Sequence, residues 1–116
     1  MDVTADELAA RLGEVAVLDV RTPAEFSGER GYPCDPRQGR IPGARNLPVD
    51  ELVGRPPEEV RELVGLREGA EVVAYCHAGS RSAMAAEARR AAGYAARNYA
   101  GSWHEWSRRD DLPAER

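Results

Sequence analysis

Short apolar runs alternate with amphipathic stretches along this chain, and the alternation sets the expected architecture. Val15-Ala16-Val17-Leu18-Asp19-Val20 is a continuous, β-branched apolar run of the kind carried by a strand covered on both faces. Glu71 to Tyr75, with Val72, Val73 and Ala74, repeats that pattern, and Ala44 to Pro48 and Ala96 to Tyr99 read as further strands. Helical patterns lie between them. Leu8, Ala9 and Leu12 follow the capping-box sequence Thr4-Ala5-Asp6-Glu7, with Gly13 placed to end the helix. Thr22 to Phe26 predicts a brief helix with Thr22 as cap and Pro23 in its first position, and Asp50 to Val53 a single turn. Pro57 to Leu66 starts with Pro and two Glu and sets Val60, Leu63 and Val64 on one face. An alanine-rich helix after Ser82 is closed by Gly93, residues 29–39 read as an irregular loop, and the segment from Gly101 carries Trp103 and Trp106 before turning polar. Strands alternating with helices predict an α/β domain with a mainly parallel sheet, whose ligands sit beyond the carboxyl ends of the strands. The junction at Cys76 lies at one such end.

Composition narrows the function classes. The chain has 116 residues, 42% hydrophobic and 31% charged, which predicts one globular domain over 1–116, with a core over about 4–107 and a polar tail over 108–116. No run approaches the roughly 20 apolar residues of a membrane span and no signal peptide opens the chain, so a cytoplasmic location without membrane contact is expected. A net charge of −4 leaves no basic stripe for nucleic acid. All 16 basic residues are arginine, which with the abundant alanine fits a GC-rich genome. In that setting Cys34 and Cys76 are expected as reduced thiols, to be judged on their surroundings.

Those surroundings differ. Cys76 ends an apolar strand just before a helix, where backbone N–H groups lack intrahelical partners and point at whatever the loop encircles. The helix dipole and Arg81 add positive charge, no acid falls between Tyr75 and Glu87, and Gly79 lets the backbone curl. Each feature favours a thiolate, hence a nucleophile; the bland alternative is an inert cysteine closing a strand. Cysteine-dependent phosphatases use C-x5-R, whereas Cys76 to Arg81 is C-x4-R, one residue shorter and suited to a smaller anion, such as one extra sulfur on the cysteine.

Four separated motifs then resemble the rhodanese homology domain: Asp19-Val20-Arg21 with Glu25-Phe26; Gly39-Arg40-Ile41-Pro42-Gly43-Ala44; Cys76-His77-Ala78-Gly79-Ser80-Arg81-Ser82; and Asn98-Tyr99-Ala100-Gly101-Ser102-Trp103-His104-Glu105-Trp106. The last resembles the end of the catalytic half of tandem thiosulfate and mercaptopyruvate sulfurtransferases. The resemblance implies a three-layer α/β domain with a mainly parallel, five-stranded central sheet flanked by helices. It also implies a double displacement through a Cys76 persulfide, with thiosulfate or a related small sulfur anion as donor and cyanide, a small thiol or a protein thiol as acceptor. Amides of His77, Ala78, Gly79, Ser80, Arg81 and Ser82 would hold the persulfide, and no cofactor or metal is implied. A persulfide relay, sulfur carrier or redox-sensing module acting on a protein partner is the alternative, followed by a phosphatase or arsenate reductase. Monomer and homodimer stay open. A chain of this length holds one such module, so a donor-binding group from a second half is expected to be absent or replaced.

The remaining candidates carry two readings each. Arg21 binds the anionic donor in tandem relatives or forms an ion pair with Asp19 or Glu25; Asp19 supports loop amides or an arginine. Arg40 stands where the family has histidine and is expected to be structural. His77 is expected at the cleft mouth, tuning acceptor choice. Ser80 and Ser82 cap the helix or donate to sulfur. Trp103 and Trp106 are expected in the core, Trp103 alternatively as a substrate wall. Cys34, beside Asp35, is either an unreactive loop thiol or a resolving cysteine for Cys76.

Overall fold

In a computed structural model, which describes residues 2–116, the two long apolar runs become the central strands. They are β1 (Ala16–Asp19) and β3 (Glu71–Tyr75), flanked by β2 (Arg45–Asn46) and β4 (Ala95–Asn98) in the order β2-β1-β3-β4. Every ladder between these strands is parallel, with Val17 opposite Val73 and Asp19 opposite Tyr75. Successive side chains of β1 and β3 point to opposite faces, so each strand feeds two cores. Leu18, Val72 and Ala74 join Val60 and Val64 of α3 (Pro57–Val64) and Ala85 and Ala86 of α4 (Ser80–Ala91). Val17, Val73 and Tyr75 join Leu8 of α1 (Ala5–Ala10) and Trp103 and Trp106 of α5 (Ser102–Trp106). The result is the expected three-layer α/β sandwich.

Local chemistry sets the helix starts. Thr4 and Glu7 close the predicted capping box on α1, and Thr22 and Glu25 close another on α2 (Pro23–Ser27). The single turn falls at Val49–Glu51 as a 3-10 helix.

One expectation needs correction. Four strands, rather than five, form the sheet among the described residues. At the β4 edge the described residues make one parallel bridge, Asp2 to Asn98, with Val3 N–H donating to Asn98 O at 3.0 Å, before Thr4 caps α1 and turns the chain away. The aromatic segment after Gly101, to which the sequence pattern assigned no element, is the short helix α5. The polar tail is docked: Leu112 is buried, Trp106 Nε1 donates to Pro113 O at 2.7 Å, and Glu115 pairs backbone to backbone with Arg40. Among the described residues no helix is long and apolar enough to cross a membrane.

Candidate active site

Cys76 follows β3 directly, at the carboxyl edge of the sheet, and is buried. The chain must reverse there to start α4, and Gly79 makes the reversal with φ 99°. A Cβ at that position would meet Ala100 O at 2.5 Å, so glycine is required on both conformational and steric grounds. The turn aims Gly79 N–H at Cys76 Sγ, 3.0 Å away, and brings Ser82 Oγ to 3.5 Å of the same sulfur. Burial pushes the Cys76 thiol up. The Ser82 hydroxyl and the amides of Ser82, Gly79 and Ala78 outweigh it, leaving the thiol below its ordinary range. A buried sulfur ringed by donors is an anion cradle.

Each sequence-predicted residue has a definite place. Ser82 has one hydroxyl proton and two acceptors, Cys76 Sγ and Gly79 O, and Asn98 Nδ2 also reaches Gly79 O at 3.4 Å. Ser80 is exposed, and neither serine caps α4, whose N-cap Gly79 has no side-chain bond. The capping reading of Ser80 and Ser82 is thus replaced by sulfur contact for Ser82 alone. Arg81 points away from a lone role beside the sulfur: its guanidinium grips Glu25 at 2.9 and 3.2 Å. Burial raises the Glu25 carboxyl, but Arg81 and the Thr22 amide hold it below its usual range. The acid that offsets Arg81 comes from α2, far off in sequence.

Arg21 is enclosed, its side chain 1% exposed. It binds Asp19 at 2.7 Å and Gly39 O at 2.6 Å, between the rings of Tyr75 and Trp103. The ion pair and the Gly39 carbonyl engage its Nε and Nη2. Arg40 stacks over Phe26, 4.6 Å from the ring centroid. Trp103 is fully buried, its Nε1 bonded to Arg37 O, which removes the substrate-wall reading.

His77 differs from expectation. It is buried rather than presented at an open mouth, because Tyr32 of the 29–39 loop stacks on it at 3.6 Å and 15°. Asp35 Oδ2 lies 2.8 Å from His77 Nε2, and Asp35 in turn holds Arg108 at 2.8 Å. Cys34 is exposed on the same loop. Sequence reasoning also missed Ser102. It carries a positive φ of 55°, accepts from Cys76 N at 3.0 Å and donates to Tyr99 O at 2.8 Å, fixing the backbone that bears the nucleophile. The signal was present as the Gly101-Ser102-Trp103 motif, without a role attached.

Comparison with known proteins agrees with this geometry. A thiosulfate sulfurtransferase of Pseudomonas aeruginosa is 33% identical over 97% of this chain and 45% of its own length. The sulfur carrier protein TtuD of Thermus thermophilus is 33% identical over 97% of this chain and 45% of its own. A crystal structure of a probable thiosulfate sulfurtransferase is 47% identical and superposes with a TM-score of 0.87, over 99% of this chain and 47% of that one. The chain therefore spans about half the length of the relatives it matches. With residues 4–109 matching the rhodanese-like domain, in addition to the parallel sheet and the Cys76 loop, the chain belongs to that family.

Proposed function

We propose that this chain, acting as one domain over residues 1–116, is a rhodanese-type sulfurtransferase that carries sulfur on Cys76. The observation that carries the reading is the sulfur cradle: Gly79 N–H at 3.0 Å and Ser82 Oγ at 3.5 Å from a buried thiol held below its ordinary range. In the first half-reaction the Cys76 thiolate attacks the outer sulfur of thiosulfate. A new S–S bond forms, the old one breaks, and sulfite leaves with the bonding pair. The Cys76 persulfide keeps one negative charge within reach of the loop donors, which supply the preorganised electrostatic stabilisation that an oxyanion hole supplies elsewhere. In the second half-reaction an acceptor nucleophile attacks the terminal sulfur and Cys76 leaves as thiolate; with cyanide the product is thiocyanate. The loop donors that hold the Cys76 thiol below its ordinary range favour the thiolate that makes the first attack. A phosphatase reading is weaker, since Arg81, the residue that would clamp phosphate, is engaged by Glu25.

The test is intact mass after incubation with thiosulfate, followed by cyanide. One added sulfur on the chain, absent in Cys76→Ser, with thiocyanate released in step, is the expected result. No added sulfur defeats the reading. A second reading is persulfide delivery to a protein thiol, favoured by the likeness to a protein named a sulfur carrier and by Tyr32 covering His77. It predicts a persulfide that forms normally but is discharged slowly by cyanide.

A further inference from the structure

His77 follows the nucleophile directly, and distant parts of the chain converge on its imidazole. The backbone is pinned first: Trp103 N–H donates to Cys76 O and His104 N–H to His77 O, both at 2.9 Å, so the two residues are fixed together on α5. Tyr32 stacks on the ring at 3.6 Å, and the His104 ring meets it edge-on at 5.3 Å. Asp35 Oδ2 lies 2.8 Å from Nε2. Asp35 is itself buried, its side chain 1% exposed, and Arg108 lies 2.8 Å from its other oxygen. Cys34 Sγ at 4.0 Å and His104 Nδ1 at 3.8 Å complete the groups around that oxygen. Across the cradle stands Arg81, which Glu25 first, and then Cys76 and Tyr32, hold above its ordinary range against burial. The tyrosine over His77 and the nucleophile therefore sit around one cation.

A carboxylate at Nε2 decides the tautomer. It keeps the proton on Nε2, leaves the lone pair on Nδ1, and stabilises the imidazolium formed when Nδ1 takes a proton. An Asp–His couple beside a nucleophile is an arrangement for removing a proton from an attacking group. Cys76 has its own means, since the cradle donors hold its thiol below the ordinary range. The proton left to remove belongs to the second half-reaction, because an alkyl thiol acceptor is mostly protonated near neutral pH.

We propose that His77, oriented by Asp35, is the base that takes the proton from the acceptor in the second half-reaction, and that the acceptor class this site serves is a protonated alkyl thiol. The inference rests on the Cys76 persulfide proposed above. That persulfide lengthens the Cys76 side chain by one S–S bond, about 2 Å, on a residue whose Cα lies about 3.8 Å from that of His77. The thiol S–H proton passes to Nδ1 and the thiolate attacks the terminal sulfur. A new S–S bond forms, the Cys76 S–S bond breaks, and its bonding pair stays on Cys76 Sγ as thiolate. The imidazolium, held by Asp35, offsets the charge of the two anions that meet and then releases its proton to solvent.

The test loads Cys76 from thiosulfate, removes the excess and times the loss of the added sulfur by intact mass at mildly alkaline pH. Three acceptors are compared: 2-mercaptoethanol, which is mostly protonated, and thiophenol and sulfite, which are mostly ionised. His77→Gln and Asp35→Asn should each slow discharge to 2-mercaptoethanol by about 100-fold, the low end of general acid–base catalysis. Loading, and discharge to thiophenol and sulfite, should stay near wild type. Added imidazole should restore part of the 2-mercaptoethanol rate in His77→Ala, a rescue that a merely structural histidine would not show. Equal slowing of all three acceptors, or an unchanged 2-mercaptoethanol rate in His77→Gln, would overturn the assignment. Failure of the wild type to load would defeat the persulfide itself and this inference with it.

Discussion

Two segments meet at His77, and they are held in opposite ways. The 76–82 cradle is organised by its own backbone: Gly79 N–H and Ser82 Oγ reach back three and six residues to Cys76 Sγ. The 31–38 loop has almost no local structure and is tethered from afar. Arg37 donates to the carbonyls of Trp106, Ser107, Arg109 and Leu112, Arg108 grips Asp35, and Tyr32 lies on His77. A contiguous site stands or falls with its backbone geometry, whereas a tethered loop can be released one side chain at a time. Substitutions in the two segments should therefore separate chemistry from cover.

The largest effect is expected from Gly79→Ala. Its Cβ would face Ala100 O at 2.5 Å and its φ of 99° is unfavourable for any L side chain, so relief requires the turn to move. That strain costs about 1–3 kcal/mol in stability before the clash is counted. Displacing the amide that faces the sulfur should lower persulfide formation by about 100-fold or more, the loss typical of a removed preorganised donor. A thermal melt and the rate of sulfur uptake check both; a variant with normal uptake would break the contrast between the segments. Next comes Arg37→Ala. Losing four carbonyl bonds should cost about 2 kcal/mol, each bond being worth about 0.5–1.5 kcal/mol net with part regained from water. Cys76 alkylation should continue at the wild-type rate, while proteolysis within 31–38 speeds up.

Ser82→Ala probes the thiol itself. The Cys76 thiol lies below its ordinary range despite burial, with the Ser82 hydroxyl the strongest opposing group, so removing it moves the thiol upward. Alkylation near pH 7 should slow by roughly tenfold, as a hydrogen bond to a charged group is worth about 1.5–3 kcal/mol and one unit is 1.36 kcal/mol. Wild type and variant should converge once both are ionised. The stability contribution has the same sign logic: with the folded thiol depressed, it is present above the unfolded value of about 8.5 and fades as pH falls through the folded one. The stability gap between the two proteins should thus be widest at alkaline pH. A gap that widens toward acid would contradict the cradle.

The same division explains what was legible in the sequence. The cradle, the Thr4–Glu7 capping box, the Thr22 cap and the two central strands are written in contiguous residues, so spacing alone exposes them. Glu25 shows the limit. Its capping role toward Thr22 is local and readable, but its grip on Arg81, 56 residues away, exists only once α2 lies against the cradle. The covering of His77 by Tyr32 and the convergence of Cys34, Asp35 and His104 are of that second kind. So is the burial of Arg21, whose partner Asp19 was nameable but whose enclosure by Tyr75 and Trp103 was not. The five-stranded expectation came from the resemblance, and among the described residues the N-terminal segment supplies a single bridge at the β4 edge.

The smallest effect, and the sharpest sequence-level surprise, sits on α4. Its buried face runs Ser82, Ala85, Ala86 and Arg89, so a cation occupies the fourth position of an otherwise small, neutral stripe. Arg89 is fully buried, and its Nε, Nη1 and Nη2 have no hydrogen-bond partner among the described residues. Burial, with Arg45 nearby, pulls the guanidinium down to about 10. An uncompensated buried charge is destabilising, while its aliphatic stem packs as well as any linear apolar chain. Arg89→Met keeps the stem and removes the charge, so the variant should be as stable as wild type or more stable by about 1 kcal/mol, with sulfur uptake at Cys76 unchanged. Denaturant unfolding measures it. A clear loss of stability would mean that the guanidinium itself holds α4 in place. The helix that carries the cradle would then depend on a distant tether, as the 31–38 loop does.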